Sequence, residues 1–472
     1  MKIPSVLLAA CVAAYSQAPA QSDPRSMVER AIQQMGGEQT LRGLRTLRYD
    51  AIGILYNLGQ SPGLGEPLPF NTRTSSIRYD FANGRMHVTT EIPGITATGP
   101  FRQRFVQSPA GGMIDNNGTL QPSPAMLPVG VRTFPPYLLL TALDPSTRLE
   151  RAGDGVRMMS ATDTITLFFD EQGRLSRSEN VVDDPILGDR VNRTIYRGWT
   201  PAGPGGLQLP QRVDFEVNGV VTQATNLRGY SVNEPMADSL FVIPDSMVAR
   251  SRALPAVVGG AAPPVAVRLD SLAPGIYHVT GGSHQSLAVV SNGAISVFEA
   301  PQSSQRMKAV LDTLASRFPG TPVRLAINSH DHWDHAGGVR AAVAARVPVM
   351  AHATSLPQLR EAVRARRTLA PDGVERLRAD FRPVRDSAIV GSGANMMIVY
   401  RLPTTHDDGL LVGYVPDARL LFVTDVLPNN GAGPNREVVD FAAAHGLAIE
   451  RVVPSHGAIV PWARVVQLAG QN

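Results

Sequence analysis

Hydrophobic and polar residues alternate along most of the first half of the chain. From about Leu47 to Ile243, the alternating segments are separated by turn signals at Asn83-Gly84, Gln172-Gly173 and Asn218-Gly219. Alternation with a period of two is typical of strands with one buried face, and Asn-Gly pairs favour tight hairpins. The pattern therefore predicts a large, mostly antiparallel and curved β-sheet with helices packed on it.

A helix is predicted just before this sheet. Asp23 can cap its N-terminus, Pro24 suits its first turn, and Gly36 and Gly37 end it. Between Met27 and Met35 apolar residues recur every four positions, which gives the helix one apolar face.

The pattern changes in the second half of the chain. Residues 253–268 are rich in Ala, Pro and Gly, which predicts a linker. From 269 to 472, apolar runs alternate with helical stretches such as 303–317 and 355–367. Strands that are apolar on both faces, mixed with helices, indicate a layered domain with buried sheets. We therefore expect an α+β protein with two folded domains, at residues 21–252 and 269–472.

The first residues have the pattern of a secretory signal peptide. Lys2 precedes the apolar run Val6–Tyr15, which is too short to span a membrane, and Ala18–Ala20 offers small residues for cleavage. Residues 1–20 are therefore predicted to be removed from an exported, periplasmic or secreted protein. "LAAC" ending at Cys11 also resembles a lipobox, so a lipid-anchored form is the alternative, with ordinary cleavage favoured.

Charge and cysteine content exclude several kinds of chemistry. The formal net charge is only +4, and the tightest basic group, Arg364, Arg366 and Arg367, is interpreted as a solvated helix face rather than a nucleic-acid site. Cys11 is the only cysteine. Disulfides and thiolate ligands are therefore not expected, and neither is a membrane-spanning segment.

A cluster of potential metal ligands follows the apolar strand predicted at Val323–Ile327. The candidate ligands His330, His332, Asp334 and His335 lie within six residues of "INSHDHWDHAGG". Imidazole and carboxylate groups are ligands that zinc accepts, and a loop at a strand end can turn them toward one place. We therefore predict a metal site, with Gly337 and Gly338 allowing a tight turn into a helix that begins near Val339.

This stretch is the HxHxDH signature of the metallo-β-lactamase superfamily, and residues 269–472 resemble that family. His406 in "TTHDDG", Asp425 at the end of "RLLFVTD" and His456 in "VPSHG" follow in the family's order. The resemblance implies an αββα sandwich that holds two divalent metal ions, with zinc favoured. It implies that the first ion is bound by His330, His332 and His406, the second by Asp334, His335 and His456, and that Asp425 bridges them.

The resemblance also implies a reaction. A hydroxide between the two ions would attack an ester, lactone, thioester, amide or phosphoester in a small-molecule substrate. Asp334 is the expected catalytic residue, which orients the hydroxide and carries its proton. Because no cysteine ligand is present, the chain resembles the hydroxyacylglutathione hydrolase, lactonase and phosphodiesterase branches, although "TTHDDG" departs from their commoner "HTPG".

Other residues near these ligands have weaker predicted roles. His284 and His352 are candidates for the rim or for substrate contact, and Trp333 is expected to pack and fix the ligand loop. Asp407 and Asp408 either tune His406 or form a solvated turn.

Two alternative functions remain open. The same fold can hold iron and act as a sulfur dioxygenase or a diiron oxidoreductase, although the complete second ligand set and the early histidines favour the hydrolase. The first domain also resembles, through "GGEQTLRGLRTLRYDAIG" and "PMADSLFVIPD", the curved-sheet domains of periplasmic lipoprotein-handling proteins. That resemblance leaves a binding protein for a lipophilic ligand or partner, with an auxiliary metal domain, as the other alternative.

Overall fold

The fold is described from a computed structural model that covers residues 23–63, 65–96, 99–124, 132–161, 163–254, 265–427 and 436–470. The expected signal peptide at 1–20 lies outside these ranges, as do residues 255–264 of the expected linker. In the described ranges, no helix has both the length and the apolar character needed to cross a bilayer.

Thirteen antiparallel strands form a single sheet in the first domain. Strands β1 to β13 are Thr46–Tyr56, Phe70–Asp80, Arg85–Thr96, Gly99–Ser108, Gly111–Asn116, Thr119–Ser123, Arg148–Ala152, Gly155–Met159, Thr164–Phe169, Leu175–Asp184, Gly188–Pro201, Gln208–Val217 and Val220–Val232. Each pairs with its neighbours in sequence, except that β1 pairs with β13, and β6 and β7 are the two edges. The prediction of a large antiparallel sheet is confirmed.

The predicted turns join neighbouring strands of this sheet. Asn83-Gly84 connects β2 to β3, and Gln172-Gly173 connects β9 to β10. At the third turn, between β12 and β13, Asn218 and Gly219 have φ values of +48° and +85°. Positive φ at both central residues is what a two-residue type I′ hairpin requires, so this turn follows directly from the Asn-Gly pair.

Helices of the described ranges accompany this sheet: α1, α2, α3 and α4 are Pro24–Gln34, Glu38–Arg42, Pro135–Leu143 and Asp245–Arg252. As predicted, Asp23 caps α1, with its Oδ2 accepting a hydrogen bond from the Ser26 amide at 3.2 Å. Ile32 of α1 and Leu138 of α3 are almost fully buried against the sheet in one continuous core. The apolar faces of α1 and α3 thus cover the inner face of the sheet.

Two further sheets form the second domain. Strands β14 to β20, in the first of them, are Arg268–Ala273, Ile276–Thr280, Ser286–Ser291, Ala294–Phe298, Val323–Ile327, Val349–His352 and Phe381–Val384. Strands β21 to β26, in the other, are Ser387–Val390, Met397–Arg401, Leu411–Val415, Leu420–Val423, Arg451–Pro454 and Val460–Pro461. The helices α5 to α10 are Ser304–Arg317, Trp333–Ala336, Val339–Ala344, Leu356–Arg364, Arg436–Ala444 and Trp462–Ala469.

These elements make four layers. The two sheets pack face to face around a core in which the rings of Phe298 and Phe422 lie 5.2 Å apart. Helices α5, α7 and α8 bury their apolar faces against the outer side of the first sheet, and α9 and α10 do the same on the second. The helix–sheet–sheet–helix sandwich that the resemblance implied is therefore confirmed.

Parallel strands bring several loops to one edge of this sandwich. In the first sheet β17, β18, β19 and β20 are parallel, and in the second β24 and β25 are parallel. The carboxyl ends of parallel strands lie on the same edge of a sheet. Glu299, His330, Asp425 and His456 all follow the ends of such strands, so the order of strands explains why these residues meet.

The two domains are in direct contact. Ile186, in the β10–β11 hairpin, is 5% exposed and belongs to the apolar core of the second domain. The Asp189 amide donates to the Arg366 carbonyl at 2.8 Å, and Arg367 forms an ion pair with Asp183. The prediction that the 364–367 arginines form a solvated face is wrong for Arg367, because the chain leaves α8 at Arg364 and carries this side chain into the interface.

Candidate metal centre

Four predicted ligands form a first group at the edge of the sandwich. The ligand atoms of His330, His332, His406 and Asp425 all lie within 4.8 Å of one another. The Nε2 atoms of His330 and His406 are 3.3 Å apart, and Asp425 Oδ2 lies 3.3 and 3.1 Å from them.

A second group lies beside the first. It consists of His284, Asp334, His335 and His456, again with all ligand atoms within 4.8 Å. The Nε2 atoms of His335 and His456 are 3.3 Å apart. Asp425 Oδ1 lies 2.9 Å from His456 Nε2 and its Oδ2 lies 3.0 Å from His335 Nε2. One carboxylate therefore faces both groups.

The spacing within each group fits a bound metal. Two ligands of one tetrahedral zinc ion, with bonds of about 2.0–2.1 Å, lie about 3.3 Å apart. The structure brings together all seven residues that the resemblance assigned to metal binding, which are His330, His332, His406, Asp334, His335, Asp425 and His456. It adds His284, for which the sequence indicated only a rim position, so the second group has four side chains besides Asp425.

The backbone of the first domain fixes the ring of His332. His332 Nε2 lies 3.1 Å from the carbonyl oxygen of Ser61 in the first domain. A carbonyl can only accept, so Nε2 carries the proton and Nδ1 keeps its lone pair. Nδ1 is buried and has no hydrogen-bond partner among the described residues. A buried ring nitrogen with a free lone pair, inside a group of other ligands, fits a metal ion.

A buried carboxylate fixes the orientation of the His335 ring. Glu299 is fully buried directly after β17, with φ +81°, a value that side chains other than Gly, Asn or Asp seldom adopt. Its Oε2 accepts a hydrogen bond from His335 Nδ1, and its Oε1 accepts one from the Ser329 amide at 2.9 Å. The negative charge of Glu299 therefore orients His335 so that Nε2 points into the second group.

Asp334 is the most accessible of the carboxylates in the centre. Its side chain is 41% exposed, compared with 12% for Asp425. Its Oδ1 accepts a hydrogen bond from Gln60 Nε2 at 2.8 Å, and its Oδ2 lies 3.2 Å from His284 Nε2. Burial alone would raise the pKa of Asp334, but the contacts with His284, His335 and Gln60 lower it below the ordinary value. Asp334 is thus an ionised carboxylate that solvent can reach.

Asp425 is held by imidazoles on several sides. Burial alone would raise its pKa, but contacts with His330, His335, His406 and His456 lower it far below the ordinary range. Its φ is +47°, in the left-handed region that Asp tolerates better than most residues. This backbone conformation immediately after β24 lets one side chain turn toward both groups.

The imidazoles of the first group are suited to be neutral ligands. Burial lowers the pKa of His330 well below its ordinary value, with His335 adding to the effect. Burial and then His406 lower the pKa of His332 to about 4. A metal-bound imidazole must be unprotonated at the ligand nitrogen, so these two residues need to release no proton at neutral pH.

The two glycines of the motif serve a purpose other than the one predicted. Helix α7 begins at Val339 as expected, but Gly337 and Gly338 have ordinary helical φ values of −58° and −92°. A Cβ on Gly337 would lie 2.2 Å from the Gln302 carbonyl oxygen, and one on Gly338 would lie 2.7 Å from that of Ala300. Glycine is needed here for the close approach of two backbones rather than for a tight turn.

Two neighbouring acids, Asp407 and Asp331, lie beside His332. Asp407 is 2% exposed, and its Oδ2 is 3.9 Å from His332 Nε2. Burial and the neighbouring Asp331 raise the pKa of Asp407, and burial also raises the pKa of Asp331. Asp407 therefore contacts Asp331 and lies near His332, rather than forming a solvated turn.

The remaining predicted residues lie at different distances from the centre. Both ring nitrogens of His352 have hydrogen-bond partners outside the metal centre. They lie 2.7 Å from Thr354 Oγ1 and 3.0 Å from the Arg385 carbonyl oxygen. Trp333 packs against Gly59 of the first domain, and its amide donates to the Gly59 carbonyl at 3.2 Å. The expectation that Trp333 packs and fixes the loop agrees with this contact.

Glu299 and Gln60 are residues that sequence reasoning missed. Glu299 had a usable signal, because a lone carboxylate in the apolar run "AISVFEAP" is costly to bury without a partner. Gln60 had none, since it lies 274 positions from its partner Asp334 in a segment with no distinctive pattern.

Comparison with known proteins finds similarity to the second domain. Residues 303–456 match the family model of the metallo-beta-lactamase superfamily. Among similar solved structures are the metallo-beta-lactamase FIM-1 from Pseudomonas aeruginosa (15% identity, 44% of this chain and 97% of that one, TM-score 0.36) and metallo-beta-lactamases from Pontibacter korlensis (16%, 44% and 100%, 0.35) and Erythrobacter litoralis (20%, 44% and 97%, 0.34). No curated protein matches the chain.

Proposed function

We propose that this chain, whose C-terminal domain belongs to the metallo-beta-lactamase superfamily, is a hydrolase that uses two divalent metal ions. The observation that carries the proposal is the pair of ligand groups that share Asp425. Zinc is the proposed metal, because all the donors are imidazole nitrogens and carboxylate oxygens at tetrahedral spacing. The proposed substrates are small molecules with an ester, lactone, thioester, amide or phosphoester bond.

Each group of residues has a distinct task in this proposal. The two ions, when bound, would supply a water molecule of lowered pKa and a Lewis acid that polarises the scissile group. Asp425 holds the two ligand groups in register, since its two oxygens face different imidazoles. Asp334 is the proposed catalytic residue, because its exposed carboxylate can accept the proton of the attacking water and pass it to the leaving group.

The test is elemental analysis of full-length protein purified without chelators. We expect two zinc ions per chain in the wild type and fewer than two in Asp425→Ala. Asp312→Ala is the matched control, because Asp312 is an exposed acid that forms an ion pair with Lys308. Lactones, thioesters, β-lactams and phosphodiesters would then be screened for hydrolysis that depends on Asp425.

One iron per chain, unaffected by Asp425→Ala, would overturn the proposal. It would favour instead the iron-dependent sulfur or oxygen chemistry that the fold also accommodates. The second ligand group argues against this alternative, because a single ion in the first group would leave His335 and His456 with no metal to bind.

We also propose that the protein is exported, on the signal-peptide pattern of residues 1–20. Mass measurement of the mature protein from its native host is expected to give an N-terminus near Gln21. A lipidated N-terminus at Cys11 would replace ordinary cleavage with membrane anchoring, and an intact Met1 would overturn export.

A second candidate function concerns the first domain. A cavity of about 240 Å³ lies between the inner face of the sheet and the start of α3, with Tyr49, Tyr79 and Phe134 among its lining residues. Arg73 also lines this cavity and hydrogen-bonds to Gln223. Among the described residues no carboxylate pairs with Arg73, and burial lowers its pKa. A cavity lined mainly by aromatic and aliphatic residues, with a cation that no described carboxylate pairs with, suits a small amphiphile with an anionic group.

Binding of octanoate and octanol to the full-length protein tests this candidate. Arg73→Gln is expected to weaken octanoate binding and leave octanol binding unchanged. Arg78→Gln is the control, because alternation along β2 places Arg78 on the opposite face of the sheet. Equal binding of octanoate by the wild type and Arg73→Gln, or no binding at all, would rule out this candidate.

A further inference from the structure

A loop of the first domain reaches into the metal centre. Residues 57–63, the first part of the loop between β1 and β2, are here called the β1–β2 segment. Four consecutive residues of it, Gly59 to Pro62, each make one hydrogen bond to the second domain. Two of those bonds, from Gln60 and Ser61, involve residues that the proposed function assigns to metal binding.

The contacts divide between the two ligand groups. The Ser61 carbonyl oxygen accepts from His332 Nε2 at 3.1 Å, in the first group. Gln60 Nε2 donates to Asp334 Oδ1 at 2.8 Å, in the second group. A single short segment thus holds one ligand of each group in orientation.

Hydrogen bonds within the loop between β1 and β2 fix the backbone of the β1–β2 segment. The Asn57 amide donates to the Pro69 carbonyl at 2.8 Å and closes the base of the loop. The Ser61 hydroxyl lies 3.0 Å from the carbonyl oxygens of both Gly63 and Glu66. These local bonds fix the backbone, so the Ser61 carbonyl and the Gln60 side chain are presented in a defined geometry.

The β1–β2 segment packs closely against the loop that carries His330, His332 and Asp334. Gly59 has φ +77°, and a Cβ there would lie 2.3 Å from the ring of Trp333. The Asp408 amide donates to the Pro62 carbonyl at 2.8 Å on the other side of the centre. The segment therefore touches the loops that carry ligands from both sheets.

We propose that the β1–β2 segment is part of the metal centre, with Gln60 and the Ser61 carbonyl as positioning groups for Asp334 and His332. Among the described residues of the second domain, none accepts a hydrogen bond from His332 Nε2 and none donates one to Asp334 Oδ1, although His284 contacts the other oxygen of Asp334. This inference rests on the proposed function, since it concerns the ligands of the two ions. It gives the first domain a role in metal binding that is separate from any ligand in its own cavity.

The test measures the affinity of full-length protein for each metal by competition with a chromophoric chelator. Loss of a partner behind a metal ligand commonly weakens metal binding about 10- to 100-fold. We expect Gln60→Ala to raise the dissociation constant of the second metal about tenfold and to leave that of the first unchanged. The absorption bands of cobalt, loaded in place of zinc, are expected to change for the second site only.

Gly59→Ala tests the whole segment at once. The added methyl group must push the segment away from Trp333, so both metals are expected to bind more weakly. Gly65→Ala is the matched control, because Gly65 has a similar φ of +85° in the same loop and a Cβ there meets nothing within 4 Å. Thermal unfolding of each variant shows whether it is folded, and if Gly59→Ala unfolds, Gln60→Ala still decides the question.

The outcomes separate this inference from the proposed function. Wild-type affinities for both metals in Gln60→Ala and Gly59→Ala overturn the positioning role and leave the hydrolase proposal standing. A wild-type protein that binds fewer than two metals overturns the hydrolase proposal itself. Weaker binding in Gly65→Ala, equal to that in Gly59→Ala, would mean that strain anywhere in the loop suffices, and would also overturn the positioning role.

Discussion

The thirteen-stranded sheet and the two-sheet sandwich differ in where their strands end. In the thirteen-stranded sheet, neighbours in sequence are neighbours in space and run antiparallel. The carboxyl ends of successive strands therefore alternate between the two opposite sides of the sheet at which strands end. In the sandwich, helices return the chain between parallel strands, so the ends of β17, β18, β24 and β25 collect at one edge. Only the second arrangement brings loop residues from distant parts of the chain together, which is what a site with two ligand groups needs.

The two domains also differ in the interactions that stabilise them. The sheet is stabilised by apolar residues of α1 and α3, as with Ile32 and Leu138. Both domains bury acids, such as Asp80 in the first at 3% exposed and Glu299 in the second at 0%, but the buried arginines described, Arg306 and Arg340 at 1% and 2%, lie in the sandwich. We therefore expect the loss of a buried charge to matter most in the sandwich and apolar substitutions to matter most in the sheet. The following predictions test that division in order of decreasing effect.

Arg340→Met is expected to destabilise the sandwich by about 3 kcal/mol, because it leaves the buried carbonyls of Ala362 and Val363 without their donor. Arg340 donates to both oxygens of Asp372, at 2.6 and 2.7 Å, and also to the carbonyls of Ala362, Val363 and Ala365 at the end of α8. Denaturant unfolding followed by circular dichroism measures the loss. A change below 1 kcal/mol would contradict the view that buried charge stabilises this domain.

Glu299→Gln is expected to weaken binding of the second metal about 10- to 100-fold. The amide nitrogen would face His335 Nδ1 as a donor, which favours the tautomer protonated at Nε2 and removes the lone pair from the second group. Competition with a chelator measures the effect, and Asp312→Asn is the control for replacing an exposed acid by its amide. Unchanged affinity would mean that Glu299 only supports the Ser329 backbone.

His284→Ala is expected to raise the dissociation constant of the second metal about tenfold, the lower end of the range for a group that supports a metal site. Its ring lies 4.0 Å from that of His456, and its Nε2 contacts Asp334. His445→Ala is the control, since His445 lies in the same domain against Phe441. If both variants bind two metals as the wild type does, His284 lines the site without contributing to it.

Ile32→Val is expected to cost about 1 kcal/mol of stability, typical for one buried methylene. Ile32 is 1% exposed in the core beneath the sheet, remote from the metal ligands. Chemical denaturation gives the loss of stability, and the affinity for both metals should not change. A loss of metal binding here would show that the whole first domain, rather than the β1–β2 segment, controls the centre.

Sequence reasoning was most successful where a local pattern carries the information. Alternation and Asn-Gly pairs specify strands and hairpins because only neighbouring residues are involved, as at Asn218-Gly219. The ligands His330, His332, Asp334 and His335 stand out for the same reason, since they are close in sequence. The residue pattern indicated the helices near 303–317 and 355–367, whereas the helix–sheet–sheet–helix order of the layers followed from the family resemblance.

Sequence reasoning failed where contacts join distant segments. Nothing near Gln60 indicates that it contacts Asp334, and nothing near Arg367 indicates that it pairs with Asp183 across the domain interface. Gly337 and Gly338 were identified, but the reason for them, the close approach of residues 300–302, depends on how β17 lies beside β18. These features are set by packing, which the local pattern does not encode.

The contact between Ser61 and His332 has a consequence for how this protein can change over generations. Ser61 meets the histidine through its peptide oxygen, an atom that every amino acid possesses. Substitutions at position 61 that keep a side-chain hydroxyl, such as Ser61→Thr, therefore leave that oxygen in place, whereas insertion or deletion of one residue in the segment would displace it. The inheritance of this contact depends on loop length and backbone shape more than on side-chain chemistry, and relatives that keep the contact should share the spacing between β1 and β2.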